Sequence, residues 1–168
     1  MVTSGQGSGD VEFTATEVRT ARLLVTAQFV LLGLIALLPG GWGWPVPEWL
    51  RVLGLLGVLA GVLVMLLGGT ALGRGLTAVP IPNEHAQLRT GGLYRVVRHP
   101  IYTGLLLASG SFVVATGGGW RALAFVLLVV LLTVKARWEE VRLARRFAAY
   151  PEYAARTPRF VPGWPRRR

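Results

Sequence analysis

The chain has 168 residues, of which 52% are hydrophobic and only 15% charged, and its mean hydropathy is +0.51. Soluble domains seldom combine such hydropathy with so few charges, so the composition excludes an ordinary soluble protein and indicates a single-domain integral membrane protein. The net charge of +10 does not indicate nucleic acid, because the basic residues flank apolar runs and therefore favour membrane lipids as partners.

Four apolar runs predict an all-α bundle of four transmembrane helices. Residues 1–16 are rich in Gly, Ser and Thr and predict a disordered tail. A membrane domain is predicted over residues 17–162, with spans at about 18–38, 49–72, 101–116 and 121–138, followed by a basic tail at 163–168. A cleaved signal peptide is the alternative for the first run, since a basic flank precedes it.

Between the runs, prolines and glycines predict the turns. Trp42 and Trp44 lie in a proline-bounded segment typical of the bilayer interface. Gly57 and Gly61 form a GxxxG pattern that allows close approach of a neighbouring helix. The third and fourth runs are short and predict a helical hairpin across the triple glycine at 117–119.

The fourth helix is predicted to continue beyond the membrane as KARWEEVRLARRF, because Lys135, Glu139, Leu143 and Phe147 recur at four-residue spacing. After it, four prolines predict an irregular C-terminal arm. Ten of the 18 Lys and Arg residues lie at position 135 or beyond, at the end of the fourth run and after it. The positive-inside rule then predicts both termini and the loop from Arg74 to Pro100 on the cytoplasmic side of the cell inner membrane.

One stretch, residues 91–104, places several polar and ionisable side chains between the second and third apolar runs. Its glycines permit positive φ, and Pro100 predicts a helix start there. The free N–H groups of that first turn suit a carboxylate or phosphate. The alternative is that Arg95, Arg98 and His99 only anchor a helix at lipid headgroups.

The predicted hairpin brings the start of the third span beside the end of the fourth. Five side chains are then expected to converge at the cytoplasmic face: Tyr94, His99, Tyr102, Glu139 and Glu140. The alternative for Glu139 in the fourth helix is a simple i,i+4 salt bridge with Lys135. No metal is predicted, because the chain has no cysteine and only two distant histidines.

The chain also carries a set of short motifs between residues 72 and 162: Leu72-Gly73-Arg74 with Thr77 and Pro80-x-Pro82, Gly92-x-Tyr94-x-x-x-Arg98-His99-Pro100-x-Tyr102-x-Gly104, Glu139-Glu140-x-x-Leu143, Tyr150-x-x-Tyr153 and Pro158-Arg159-Phe160. In combination these motifs resemble the isoprenylcysteine carboxyl methyltransferases and the related phospholipid N-methyltransferases. The resemblance implies an integral membrane enzyme that uses S-adenosylmethionine.

Carried over position by position, the resemblance implies both a cofactor side and a catalytic side. The cofactor side comprises Gln87, Leu88, Arg89, Tyr94, His99, Pro100, Ile101, Tyr102 and Glu139. The catalytic side comprises Arg98, Lys135 and Glu140. Lys135 stands where prenylcysteine-type members have an arginine that contacts substrate, so it lacks the bidentate fork, and Arg137 is the alternative contact. The spacing from Phe147 to Tyr150 is one residue shorter than usual, and Ala148 replaces a typical glycine.

The expected reaction is O-methylation of a lipophilic carboxylate, such as an isoprenoid or prenylcysteine, which needs positioning and exclusion of water and no strong base. Methylation of a phospholipid or lipid amine is the alternative and would need Glu140 or His99 as a base. A non-catalytic scaffold subunit and a reductase-like protein with a nicotinamide cofactor remain open. The sequence leaves the oligomeric state undetermined.

Overall fold

The computed structural model describes residues 14–73 and 87–163, and within these ranges the chain is helical, without a β-strand. Its helices are α1 Ala15–Leu37, α2 Glu48–Leu72, α3 Leu93–Val96, α4 Pro100–Thr116, α5 Gly119–Arg146 and α6 Tyr150–Arg156. The all-α prediction is therefore confirmed. The predicted Thr77 and Pro80-x-Pro82 motif lies outside the described residues.

Three helices in the described part, α1, α2 and α5, are long and apolar enough to cross a membrane. The apolar helix α4 has 17 residues, and at 1.5 Å per residue it reaches about 25 Å, less than the roughly 30 Å of a hydrocarbon core. Crossing of the bilayer by α4 therefore stays a prediction. Large apolar side chains along α2, among them Leu59 and Leu66, are exposed, as expected for a surface that faces lipid.

The predicted tail of residues 1–16 extends too far, because Ala15 is already the first residue of α1. The Thr14 hydroxyl accepts a hydrogen bond from the Glu17 backbone N–H at 3.3 Å, and the Glu17 carboxylate accepts one from the Thr14 N–H at 3.1 Å. This reciprocal capping box satisfies two N–H groups that a helix start leaves unpaired. The spacing Thr14-x-x-Glu17 was the available sequence signal.

Glycine permits the close packing of α2 against α4. Gly54, Gly61 and Gly68 are buried at seven-residue spacing along α2. A Cβ at Gly61 would lie 2.5 Å from the Ala108 backbone nitrogen, and a Cβ at Gly104 would lie 2.5 Å from the Gly61 carbonyl oxygen. The GxxxG pattern predicted from the sequence thus joins two helices of the same chain.

The predicted hairpin of the third and fourth runs is present as α4 and α5. Gly117 ends α4 with φ of +65°, a conformation that glycine adopts without strain. The turn lies against the tryptophan loop, where the Trp44 N–H donates to the Gly117 oxygen at 3.0 Å and the Gly119 N–H donates to the Trp42 oxygen at 2.9 Å. Leu128 of α5 is fully buried in the apolar core.

The C-terminal arm is more regular than predicted, because Tyr150–Arg156 forms a helix. Pro151 lies in its first turn, where the missing N–H costs no hydrogen bond. Beyond α6 the arm folds back onto the residues before α4: the Arg98 N–H donates to the Pro158 oxygen at 2.9 Å and the His99 N–H donates to the Arg159 oxygen at 3.2 Å. The arm therefore holds the start of α4 against the end of α5.

Candidate functional site

The polar stretch before α4 begins with a glycine turn and a short helix. Gly92 has φ of +58° and precedes α3, as the glycine pair predicted. Tyr94 is buried, and its hydroxyl donates to the Gly68 oxygen of α2 at 3.2 Å. The hydroxyl of Tyr153 in α6 donates in turn to the Tyr94 oxygen at 2.5 Å. Tyr94 thus connects α2, α3 and α6 behind the site.

Helix α4 begins at Pro100, as predicted, with His99 as its N-cap and without a hydrogen bond from a capping side chain. Pro100 is fully buried, and both Pro100 and Ile101 lie against Gly68, with side-chain carbons 3.2 Å from the position its Cβ would take. The two residues therefore anchor the helix start on α2 through apolar contacts. The Thr103 N–H donates to the His99 oxygen at 2.9 Å, so in this first turn the N–H groups of Ile101 and Tyr102 are the ones that a helix start leaves for other partners.

His99 lies between the two adjacent carboxylates of α5. Its Nε2 is 3.2 Å from Glu140 Oε1, and its Nδ1 is 3.7 Å from Glu139 Oε2. The Tyr102 ring stacks parallel to the imidazole with centroids 5.3 Å apart, and the Tyr102 hydroxyl donates to Glu139 Oε2 at 2.9 Å. Four of the five side chains predicted to converge, His99, Tyr102, Glu139 and Glu140, thus meet in the structure, whereas the Tyr94 hydroxyl is bonded to α2.

Glu140 is surrounded by cationic groups. Arg159 donates to it from Nε at 2.8 Å and from Nη2 at 2.6 Å, and Arg98 Nη2 lies 3.3 Å from Oε1. The hydrogen bonds to Glu140 raise the pKa of Arg159 above its usual value. A bidentate guanidinium strongly favours the ionised carboxylate, so Glu140 is held as an anion.

Arg159 is the main residue of this site that the sequence analysis missed. The Pro158-Arg159-Phe160 motif was noted only as part of the resemblance, and nothing in its spacing points to a residue 19 positions earlier in α5. Phe160 also contacts the site, with its ring at an angle to His99 and centroids 6.0 Å apart. Folding of the arm, and not local pattern, brings both residues to the carboxylates.

Lys135 does not form the i,i+4 salt bridge with Glu139 that was the alternative prediction. It is buried in α5, with 5% of its surface exposed, and its Nζ donates to Gln28 Oε1 of α1 at 2.6 Å. Its ammonium also lies over the Tyr102 ring, 5.0 Å from the centroid. Arg137, the alternative substrate contact, is exposed. Of these two cations, only Lys135 touches the His99 and Tyr102 cluster.

The remaining predicted cofactor residues lie further out. Gln87 and Arg89 are exposed and Leu88 is half-buried, in a segment without regular secondary structure before Gly92. In the described part of the chain, no hydrogen bond joins their side chains to the cluster. Their assignment stays a prediction.

A pocket of about 270 Å³ lies beside Arg98 and Arg159, the two arginines that pair with Glu140. Its polar lining includes Arg98, which is 9% exposed and whose Nε has no hydrogen-bond partner among the described residues. Its wall is otherwise formed by α5 and the arm, through Thr133, Ala154, Thr157, Pro158, Arg159, Phe160 and Val161. The pocket is therefore lined by both apolar and cationic side chains.

The tyrosines behind the site keep their phenolic protons at physiological pH. Burial raises the pKa of Tyr153 to about 12, and burial likewise raises the pKa values of Tyr94 and Tyr150 above their usual range. None of these three phenols is suited to act as a base, because each loses its proton only at strongly alkaline pH.

Comparison with known proteins agrees with this geometry. A family model described as phospholipid methyltransferase matches residues 49–150. The chain belongs to the phospholipid methyltransferase family. The matched range runs from α2 to the start of α6 and includes His99, Glu139 and Glu140, whereas α1 and Arg159 lie outside it.

Two curated relatives extend the similarity of this phospholipid methyltransferase family member beyond the matched range. Protein-S-isoprenylcysteine O-methyltransferases B and A of Arabidopsis thaliana are each 30% identical to it over 162 residues. Each alignment covers 88% of this chain and 80% of the relative. The resemblance predicted from the motifs is confirmed.

Proposed function

We propose that the protein is an S-adenosylmethionine-dependent methyltransferase that esterifies the carboxylate of a lipophilic, prenylcysteine-like acceptor. The observation that carries the proposal is the position of His99 between a neutralised carboxylate, Glu140, and a more open one, Glu139. Family membership and the names of the two relatives support the reaction class.

The residues present fit the cofactor. The side chain of Glu139 is 24% exposed, and the contacts made by described residues fall on its Oε2. Its other oxygen is available to accept from ribose hydroxyls or an ammonium group. The start of α4, without a capping side chain, offers N–H groups and a positive dipole end to a carboxylate. His99, Tyr102 and Glu139 are therefore the residues proposed to hold the cofactor.

When bound, the cofactor supplies an electrophilic methyl group on a sulfonium. The chain's task is to orient the acceptor oxygen in line with that methyl and to exclude water. A carboxylate oxygen already has the electron pair it needs, so no proton has to be removed. The Phe160 and Tyr102 rings, with centroids 6.4 Å apart, and the apolar cluster against which Tyr102 packs reduce the access of water to this region.

The site suits an amine acceptor less well. Amine methylation needs a base, and Glu140 is a weak one because Arg98, His99 and Arg159 all stabilise its ionised form. The buried ammonium of Lys135 also repels a cationic amine and attracts a carboxylate. Both contacts favour O-methylation.

We place the site at the cytoplasmic face of the inner membrane, where a soluble cofactor has access. The same end of the bundle carries basic residues: Arg142 of α5 pairs with Glu17 at the start of α1 at 2.8 Å, and Arg145 lies beside them. Such clusters favour the cytoplasmic side.

The test is transfer of a labelled methyl group to a panel of lipids in detergent or vesicles. A base-labile product from an S-prenylated N-acetylcysteine is the expected result, because methyl esters hydrolyse in mild base and methylamines do not. A base-stable product from a lipid amine would replace the proposed acceptor class. Absence of both S-adenosylhomocysteine binding by calorimetry and methyl transfer would reject the enzyme in favour of a silent scaffold.

A further inference from the structure

The pocket beside Arg98 and Arg159 has no explanation in the family match. Six of the eight described residues that line it lie in α6 and the C-terminal arm, beyond residue 150, where the matched range ends. Among the described residues, its lining includes neither His99 nor Glu139, two of the groups proposed to hold the cofactor. The pocket is therefore separate from the proposed cofactor side.

Arg98 is a buried cation with unused hydrogen-bond donors. Its side chain is 6% exposed, and its Nη2 lies 3.3 Å from Glu140 Oε1. Its Nε is buried and has no hydrogen-bond partner among the described residues. A guanidinium has five N–H donors, and a buried donor without a partner is costly. An acceptor bound in the pocket would remove that cost.

The two arginines of the lining share one carboxylate. Arg159 forms the bidentate pair with Glu140, and Arg98 lies beside Oε1 of the same group. The described lining contains no acidic side chain. Two guanidinium groups against one carboxylate leave an excess positive charge at the pocket, and guanidinium groups bind phosphate and carboxylate oxygens well. The pocket therefore favours an anion.

The α5 wall of the pocket lies at the end of an apolar surface. Val130, Thr133 and Arg137 recur at three- and four-residue spacing and so share one side of α5. On that side Val130 and Val134 are 56% and 50% exposed, and Arg137 is exposed. Val161 of the arm also lines the pocket and is 64% exposed. The pocket thus adjoins a lipid-facing surface that ends in a cation, as at the boundary between acyl chains and headgroups of a bilayer.

We infer that this pocket binds the phosphate of an anionic membrane phospholipid, whose acyl chains lie along the exposed side of α5. Its volume of about 270 Å³ is below the roughly 300 to 1,000 Å³ of small-molecule sites, so it suits a headgroup and not a whole lipid. Arg98 and Arg159 donate to the phosphate oxygens. Because the lining joins α5 to the arm, the bound lipid holds the arm against the helices. The inference goes beyond the proposed function and does not depend on it.

The first test fills the pocket with a side chain. Calorimetry measures the binding of a short-chain phosphatidylglycerol to the whole protein in a neutral detergent. Ala154→Leu should weaken this binding about tenfold or more, because the larger side chain occupies the space of the headgroup. Ala155→Leu, at an exposed position of the same helix, is the matched control and should bind within about twofold of the wild type.

The second test changes the charge at the exposed edge of the pocket. Val161→Glu should weaken phosphatidylglycerol binding about tenfold or more, whereas Val161→Lys should strengthen it, because the ligand is an anion. Position 161 is exposed, so both variants should keep the thermal unfolding midpoint of the wild type in lipid-free detergent. Inorganic phosphate should bind the wild type at least about tenfold more weakly than the lipid, since it has no apolar chains to bury.

The third test asks whether the lipid holds the arm. The N–H groups of Arg98 and His99 donate to the Pro158 and Arg159 oxygens of the arm, so their hydrogen exchange reports on its docking. Phosphatidylglycerol should slow this exchange in the wild type and in Ala155→Leu, and should not do so in Ala154→Leu.

Equal binding by the two alanine variants, or by the two variants at position 161, would overturn the inference and indicate general attraction of lipid to basic residues. Inorganic phosphate that binds as tightly as the lipid would assign the pocket to a soluble anion. Displacement of the lipid by an equal concentration of an S-prenylated N-acetylcysteine would assign it to the methyl acceptor. Either result would also overturn the inference. A wild-type protein that transfers no methyl group would overturn the proposed function and leave this lipid site intact.

Discussion

The two ends of the α4 and α5 pair are joined in opposite ways. At the turn between the helices, a Cβ added at Gly119 would collide with the Trp42 oxygen, and one added at Gly43 would collide with the Gly117 oxygen. At the other end, polar side chains from the residues just before α4 and from the C-terminal arm meet around Glu140 of α5. The first junction depends on backbone contacts at glycines together with a Trp42–Trp120 ring contact, and the second depends on ionised side chains.

This difference separates stability from chemistry. Backbone contacts at the glycine turn depend only on the absence of a Cβ, and none of them presents a group that reacts or binds a charged ligand. The charged end buries several ionised groups, which is costly unless they are paired and is typical of functional sites. We therefore expect variants at the turn to change stability alone, and variants at the charged end to change binding and activity selectively.

The largest selective effect is expected for Glu139→Gln. The change removes the charge proposed to accept from the cofactor and keeps the volume and the Tyr102 contact. Loss of a hydrogen bond to a charged group costs about 2 to 3 kcal/mol, which corresponds to about a 30- to 150-fold weaker S-adenosylhomocysteine affinity. Calorimetry measures it, and an affinity within twofold of the wild type would remove Glu139 from the cofactor site.

Arg159→Ala is expected to have the next largest effect, because it leaves Glu140 with fewer partners and releases the arm from α5. The side chains of Arg159 and Glu140 are only 17% and 13% exposed. Loss of one partner should therefore reduce kcat/KM about tenfold or more. Arg159→Lys should recover only part of this loss, since lysine cannot form the fork.

Arg156→Ala is the matched control for the arm. Arg156 pairs with Glu152 at 3.1 Å, but both side chains are 73% exposed. A surface pair of this kind contributes about 1 kcal/mol or less, so kcat/KM should remain that of the wild type. Equal losses in Arg156→Ala and Arg159→Ala would mean that the arm acts through its general folding and not through Glu140.

Gly119→Ala should lower stability without a selective loss of binding. Overpacking of this kind costs about 1 to 3 kcal/mol, so the midpoint of thermal unfolding should fall by about 2 to 10 °C. The control is Gly33→Ala in α1, where the added Cβ has nothing within 4 Å. A lower cofactor affinity in folded Gly119→Ala protein would contradict the separation of the two ends.

The smallest effect is expected for Thr14→Ala, which removes the side-chain half of the capping box at the start of α1. Loss of an N-cap costs about 1 kcal/mol, and hydrogen exchange of the first turn of α1 should become faster. Thr16→Ala, inside the first turn, should leave that exchange unchanged. Because Glu17 still pairs with Arg142, S-adenosylhomocysteine affinity should not change in either variant.

Local patterns predicted most of the helices and part of the site. Pro100 is the first residue of α4, as predicted. Gly92 has the positive φ that its residue type allowed. The adjacent acids Glu139 and Glu140 contact His99, as the predicted hairpin implied. These features follow from backbone sterics and from a short connection between helices, which sequence patterns report directly.

The contacts between long helices that were missed cross large sequence separations. Gln28 meets Lys135 across 107 positions, and Arg142 meets Glu17 across 125. The i,i+4 pairing of Lys135 with Glu139 was a reasonable local alternative, but α1 offers Lys135 a closer partner on its buried side. Short-range spacing contains no information about which helix faces which.

By itself the sequence determined that this chain is helical, embedded in a membrane and related to methyltransferases, because hydropathy, helix-starting residues and short motifs act over a few residues. Only the tertiary structure decided that Arg159 neutralises Glu140, that Glu139 stays open, and that α1 supplies an amide to a buried lysine. Those outcomes depend on how helices pack and where the arm folds back, which is determined by many weak contacts summed over the whole chain.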